Sequence, residues 1–172
     1  TVEEIERFPV IIKPVDEGSS KGVFLCNNRE ETEEAVKKLA RPIIEDYIVG
    51  EELTVGVLNG KALGVLKIIP QADVLYDYDS KYADGGSIHE FPAKIEDKSY
   101  KEAMKIAEKV HSEFGMKGIS RSDFILSDGE LYFLEVNSSP GMTKTSLIPD
   151  LATLKGYTFD DVVRITVETF LK

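Results

Sequence analysis

Between Arg121 and Gly141 the chain gathers two carboxylates, an amide, a guanidinium and a tight turn. Arg121-Ser122-Asp123 comes first, then Leu134-Glu135-Val136-Asn137-Ser138-Ser139-Pro140-Gly141. Magnesium prefers carboxylate, amide and phosphate oxygens, and it usually takes few protein ligands, phosphates and water supplying the rest. Two acids and an amide on neighbouring strands are what a magnesium-nucleotide site requires. Arg121 adds a fixed cation beside them.

Those residues must be positioned by a hairpin. Phe124 to Leu126 and Leu131 to Val136 read as strands around Ser127-Asp128-Gly129-Glu130. Side chains alternate along a strand, so Glu135 and Asn137 share a face. A two-residue turn would place Asp123 opposite Leu134 and leave Glu135 on the other face. A three-residue loop, Asp128-Gly129-Glu130, instead sets Asp123 opposite Glu135. It also aligns Phe124 with Leu134 and Leu126 with Tyr132 on the apolar face. The second register is the expectation, because two patterns agree on it.

Four other stretches could do chemistry. Lys13 ends the apolar run Val10-Ile11-Ile12 and can project its ammonium onto a phosphate while its stem is buried. Gly18-Ser19-Ser20-Lys21-Gly22 could cradle phosphates with successive backbone amides, although it is not a Walker A sequence. Glu45-Asp46-Tyr47-Ile48 followed by Gly50-Glu51-Glu52 has the look of a hinge, with a strand edge for an adenine and a carboxylate for ribose hydroxyls. Tyr76-Asp77-Tyr78-Asp79-Ser80-Lys81-Tyr82 is too aromatic for a plain loop and reads as a lid. By contrast, Cys26 reads as a packed strand residue and excludes an intramolecular disulfide. His89 and His111 are isolated, with no zinc-type spacing. His111 lies mid-helix, in a solvent or packing role.

The remaining elements frame these pieces. Val10–Pro14, Val23–Cys26 and Ile43–Ile48 read as strands, and Glu31–Ala40 as a helix with acids first and bases last. Leu53–Leu58 and Ala62–Ile69 flank Asn59-Gly60, a strong hairpin signal. Residues 71–98 are irregular, and a loop that long is usually functional. Ser99–Phe114 is the clearest helix, with Ser99 and Glu102 as a capping box and Gly115 ending it. A polar loop runs to Pro149, and Thr158–Leu171 closes the chain as an amphipathic helix. Strands and helices without a regular βαβ rhythm suggest an α+β fold.

Composition sets the outer bounds. The chain has 172 residues, enough for one large domain or two small ones, with 42% hydrophobic and 30% charged residues, ordinary for a soluble globular protein. The net charge of −10 argues against nucleic acid as a partner. It does not argue against a nucleotide, which meets a few local cations. There is no run of about eighteen apolar residues to span a membrane, and no signal peptide is visible. A single cysteine fits a reducing cytosol. Because the first residue is Thr1 rather than Met, the chain is expected to be part of something longer.

With Lys13, the Gly-Ser-Ser loop, the tyrosine loop and the set Arg121, Asp123, Glu135, Asn137 in this order, the chain closely resembles D-alanine–D-alanine ligases of the ATP-grasp superfamily. The likeness runs from Phe8 to Leu171. Three motifs are specific together: Glu17-Gly-Ser-Ser, Tyr76-Asp-Tyr-Asp-Ser-Lys-Tyr82, and Glu135-Val-Asn-Ser-Ser-Pro-Gly-Met-Thr143. The resemblance implies an ATP-grasp fold, two α+β lobes clamping a nucleotide. Residues 1–50 would be part of the central lobe, and 51–172 the C-terminal lobe with the metal and substrate site.

The resemblance also implies roles by position. Lys13, Ser20 and Lys81 would meet ATP phosphates; Glu45, Asp46, Ile48 and Leu134 would line the nucleotide, and Glu52 its ribose. Asp123, Glu135 and Asn137 would hold two Mg2+ (or Mn2+), Glu135 bridging. Arg121 and the Gly141 amide would stabilise the oxyanion of a tetrahedral intermediate. Ser146 and Leu147 would hold the carboxylate of the second D-alanine, with Tyr76 also near substrate. Ser19 and Tyr82 would hydrogen-bond across the closed lid. The implied reaction joins two D-alanine molecules through an acyl phosphate, for peptidoglycan precursor synthesis, in a cytoplasmic enzyme that is a homodimer at full length. Tyr82 points to amide rather than ester formation.

Two departures stand out. Lys21 sits where the family commonly has a small apolar residue, and Leu75 replaces a commonly aromatic one. The family's N-terminal domain, which binds the first D-alanine, is absent, so these 172 residues alone are expected to be inactive. The alternatives are another ATP-grasp carboxylate–amine ligase, or a nucleotide-binding lobe without activity.

Overall fold

The computed structural model describes residues 2–18, 21–70, 87–143 and 146–171. They form an α+β protein whose chain divides into two compact units, one from Thr1–Val49 with Pro70–Ile88 and one from Gly50–Ile69 with His89–Lys172.

The first unit is a three-stranded antiparallel sheet under one helix. Its strands are β1 (Val10–Pro14), β2 (Phe24–Cys26) and β3 (Pro42–Asp46), in the order β2-β1-β3, and its helix is α1 (Arg29–Lys38). Alternation along β1 turns Val10 and Ile12 into a core with Cys26 and Ala35, all nearly inaccessible to solvent. Ile11 and Lys13 take the other face. Cys26 is the packed residue its apolar setting suggests, and burial raises its thiol pKa. Helix α1 starts before Glu31, the expected first residue. Asn28 is its cap and accepts from the Glu31 amide at 3.0 Å, while the Glu31 carboxylate accepts from the Asn27 amide at 2.7 Å.

The second unit is a five-stranded sheet in the order β6-β5-β4-β7-β8, with pairs β5-β4, β4-β7 and β7-β8 antiparallel. The strands are β4 (Glu51–Leu58), β5 (Lys61–Pro70), β6 (Ser87–Glu90), β7 (Ile119–Ser127) and β8 (Glu130–Asn137). Asn59 and Gly60 both have positive φ, as a tight hairpin turn between β4 and β5 requires. Helix α2 (Asp97–Glu113) covers one face: Leu53, Val55, Val57, Val65 and Phe124 meet Ala103 and Ala107 there. Helix α3 (Leu147–Leu154) lies over the opposite face at Gly56. A Cβ on Gly56 would come within 2.9 Å of Ile148 Cδ1 and 3.1 Å of Leu151 Cδ1. Helix α4 (Phe159–Leu171) completes the unit.

Several expectations need correction. The Ser99–Glu102 capping box does not form: α2 begins at Asp97, its cap residue Glu96 makes no side-chain bond to it, and Ser99 is buried inside the first turn. Residues 71–98 are not irregular throughout, since β6 and the start of α2 fall there. The supposed polar loop to Pro149 already contains α3, because Ile148, Leu151 and Ala152 find a buried surface over Gly56 that a linear pattern does not reveal. His111 plays the packing role: it is buried and lies 2.7 Å from Ser120 Oγ through Nδ1. The Thr158 cap does form, reciprocally with Asp161: the Asp161 amide donates to Thr158 Oγ1 at 3.1 Å, and Thr158 donates its amide to Asp161 Oδ2 at 3.0 Å.

Candidate functional site

The metal-type residues come together on β7 and β8, by a different route from the one expected. The turn is the two-residue Asp128-Gly129, both with positive φ, and it pairs Ser127 with Glu130, Leu126 with Leu131, Ile125 with Tyr132 and Phe124 with Phe133. A regular ladder would then set Asp123 opposite Leu134. Instead the register shifts there, and Asp123 stands opposite Glu135. Leu134 is the extra residue of a β-bulge, a device that re-aims side chains beside functional sites. The three-residue loop is therefore wrong, as are the Phe124–Leu134 and Leu126–Tyr132 alignments; the pairing of the two acids is right. The bulge also lets Phe133 meet Phe124 edge to face, with ring centroids 5.5 Å apart, while Glu135 faces the other way.

Asp123 is the anchored member. Thr54 Oγ1, on β4 directly opposite, donates to Oδ1 at 2.6 Å. Arg121 forks onto the same carboxylate, Nε to Oδ1 at 2.9 Å and Nη2 to Oδ2 at 2.8 Å. The Asp123 side chain is only 13% exposed and that of Arg121 20%. Charge-assisted, bidentate bonds of this kind hold both groups in fixed planes. Arg121 pairs with Asn137 across the ladder, and Asn137 Nδ2 donates to Glu135 Oε1 at 3.2 Å. That orientation leaves the Asn137 carbonyl oxygen directed elsewhere. Two carboxylates and an amide oxygen on one sheet face form a hard donor set suited to magnesium. Among the described residues no three His, Cys, Asp or Glu side chains cluster in a way that could hold a metal, so Asn137 is needed to complete the set.

Gly141 and Ser146 also approach each other. A Cβ on Gly141 would lie 2.8 Å from Ser146 Oγ, so any larger residue would turn the serine hydroxyl away from its present place. Ser146 is the cap residue of α3 yet makes no side-chain bond to the helix. Its Oγ accepts from the Thr143 amide at 3.0 Å and lies 2.8 Å from Thr143 Oγ1. Leu147 begins the helix, where backbone amides and the macrodipole favour an anion.

In the first unit, β1 and β3 place Lys13 and Glu45 on the same sheet face, since Ile11 pairs with Glu45 and Lys13 with Ile43. They form an ion pair at 2.8 Å. Asp46 ends β3 exposed, Ile48 follows half-buried, and Glu52 lies on β4 in the second unit. Ser19, Ser20, Tyr76, Lys81 and Tyr82 lie outside the described residues, as does Leu75. Sequence reasoning missed Thr54 and Thr143. A hydroxyl interrupting the apolar run Leu53-Thr54-Val55, on the face of Glu52, was the signal for the first.

Comparison with known proteins places the chain in a family. The chain is 92% identical over 171 residues to a D-alanine--D-alanine ligase of Fusobacterium nucleatum subsp. nucleatum, covering 99% of this chain and 60% of that protein. It is 44% identical over 169 residues to a D-alanine--D-alanine ligase of Sinorhizobium fredii, covering 93% and 55%. The chain thus spans little more than half the length of these relatives. Among solved structures, a D-alanine--D-alanine ligase from Bacillus anthracis matches with a TM-score of 0.82 at 30% identity, over 95% of this chain and 55% of that one. The same organism's ligase complexed with ATP matches at a TM-score of 0.76 and 25% identity, over 95% and 51%. The fold is that of the ATP-grasp proteins. The family model for the D-ala D-ala ligase C-terminus matches residues 1–168, and the chain belongs to that family.

Proposed function

We propose that this chain is the nucleotide- and acceptor-binding part of a D-alanine–D-alanine ligase, joining two D-alanine molecules in an ATP-dependent reaction for peptidoglycan precursor synthesis. The observation that carries this reading is the oxygen set of Asp123, Glu135 and Asn137 on one sheet face with Arg121 forked onto Asp123. In the first step a carboxylate oxygen of one D-alanine attacks the γ-phosphorus of ATP, releasing ADP and leaving an acyl phosphate. In the second, the amine of the other D-alanine attacks the acyl carbon, and phosphate leaves with the bonding electrons.

On this reading residues 1–50 serve as the partial central lobe and 51–172 as the C-terminal lobe; a break between compact units after Val49 supports the first boundary, while Pro70–Ile88 groups with the first unit. Lys13 neutralises phosphate charge once its ammonium is shared between Glu45 and the nucleotide. By the family resemblance Glu45, Asp46, Ile48, Glu52 and Leu134 would be the nucleotide-lining residues, and Ser20 and Lys81, outside the described residues, would meet its phosphates. Asp123, Glu135 and Asn137 would hold magnesium, which would supply charge neutralisation on the transferring phosphoryl group. Thr54 and Arg121 hold the Asp123 carboxylate in a fixed orientation. Arg121 and the Gly141 amide meet the negative charge that develops on the carbonyl oxygen. Ser146 and Leu147 hold the acceptor carboxylate at the start of α3. By the family resemblance Ser19, Tyr76 and Tyr82, which lie outside the described residues, would close over the site and exclude water from the acyl phosphate.

The test is phosphate release from Mg-ATP by the full-length protein that contains this chain, with D-alanine, L-alanine and D-lactate side by side. D-alanine-dependent release with the dipeptide seen by mass is the expected result. Release that follows another amino acid would move the reading to a different ATP-grasp ligase. The 172-residue chain alone is expected to release none. A homodimer at full length and a cytoplasmic workplace belong to the same reading; among the described residues no helix is long and apolar enough to cross a membrane.

A further inference from the structure

One polar pair in the second unit has no role in the reaction as described. His89 on β6 lies 3.1 Å from Asp150 on α3, Nδ1 to Oδ2. An ionised carboxylate only accepts, so the His89 Nδ1 is the donor, whether the ring is neutral or charged. Both side chains are partly shielded, 24% and 41% exposed. The pair joins two elements far apart in sequence, the edge strand of the sheet and the helix whose first residues face Gly141.

Asp150 occupies the first turn of α3, four residues after Ser146, so the two lie on the same side of the helix start. Helical side chains lean toward the N-terminus, and the macrodipole attracts a carboxylate to that end. Ser146 leaves the start of the helix without a side-chain cap, and Pro149 contributes no N–H to it. Asp150 is thus an internal competitor for the amides that would receive an incoming carboxylate.

We propose that His89 is a positioning residue that holds the Asp150 carboxylate toward β6, keeping the first amides of α3 available to the acceptor's carboxylate. This rests on the reading of Ser146 and Leu147 as the acceptor site. The described contact of His89 is to Asp150 on α3, not to Asp123, Glu135 or Asn137. Its loss therefore weakens acceptor binding rather than phosphoryl transfer.

The experiment uses the full-length ligase and fits initial rates with separate constants for the two D-alanine molecules and for ATP. His89→Ala is expected to raise the acceptor KM roughly five- to tenfold, with kcat and the ATP KM within about twofold. Adding Asp150→Asn to it should return the acceptor KM to within about twofold of the parent, a rescue that a merely structural role would not give. Asp150→Asn alone, which keeps the His89 ring, should leave the acceptor KM equal or lower. An unchanged KM in His89→Ala, no rescue in the double variant, or a higher KM in Asp150→Asn each overturns the proposal while the ligase reading stands. A parent enzyme with no D-alanine-dependent phosphate release overturns both.

Discussion

Asp123 stands directly opposite Glu135, across a hairpin whose two-residue turn would, in a regular ladder, have paired it with Leu134. The β-bulge at Leu134 separates two requirements that strand alternation would otherwise set against each other. Phe133 stays on the face of Phe124 and meets its ring, though itself exposed, and Glu135 is brought round to the face of Asp123, Arg121 and Asn137.

That geometry makes Glu135 and Asp123 separable in an experiment. Glu135 is exposed and bonded only to Asn137 among the contacts described above, so Glu135→Ala should fold normally and lose the magnesium-dependent part of nucleotide affinity. Calorimetric titration of ATP with and without magnesium reads this directly. Full retention of the magnesium dependence would sink the metal assignment.

Thr54 should report on the anchoring of Asp123. Thr54→Val keeps the shape and removes a fully buried donor from a nearly buried carboxylate. A hydrogen bond to a charged group is worth about 1.5–3 kcal/mol, so a fall in denaturant-derived stability of that order is expected, with weaker magnesium binding. A neutral outcome would mean that Arg121 alone holds the carboxylate.

Gly50 and Gly56 test close approach. A Cβ on Gly50 would sit 2.4 Å from the Leu126 carbonyl oxygen, which is backbone and cannot swing aside. Gly50→Ala is expected to shift β4 against β7 and to destabilise the second unit by about 1–3 kcal/mol, as overpacking does. Gly56→Val should displace α3 from the sheet through Ile148 and Leu151, visible as faster amide exchange in α3. Unchanged exchange there would contradict the packing described.

Two groups predict acid sensitivity. Hydrogen bonds from the Thr158 side chain and backbone, then from Arg164, lower the Asp161 pKa from 3.8 to about 2. Its folded pKa lies below the unfolded one, so its contribution is present above about pH 4 and is lost as pH falls toward 2. Burial lowers the pKa of His111 below 6.5, so the neutral ring is favoured in the fold and its contribution is lost as pH falls below about 6.5. Melting temperature from pH 8 to 2 should therefore drop in two stages. His111→Gln should remove the upper stage and Asp161→Asn the lower; persistence of a stage in its variant would assign it to other groups.

The local elements were legible because their causes are local. Alternation in Val10–Pro14, the Asn59-Gly60 turn, the Thr158 cap and the apolar stripe of α2 are all read from residues a few positions apart. The donor types Asp123, Glu135 and Asn137, the ion Lys13 and the glycine at 141 were legible for the same reason: they are chemistry that a residue carries with it. What only the tertiary structure decided are the relations between distant segments. The bulge at Leu134 accompanies the edge-to-face contact of Phe133 with the buried Phe124. Helix α3 exists where Gly56 leaves room for Ile148 and Leu151, the Thr54 bond to Asp123 crosses 69 residues of sequence, and the His89–Asp150 pair crosses 61. Periodicity within one segment cannot encode these, because the energy that selects them comes from burial and hydrogen bonding between surfaces that meet only once the chain has folded.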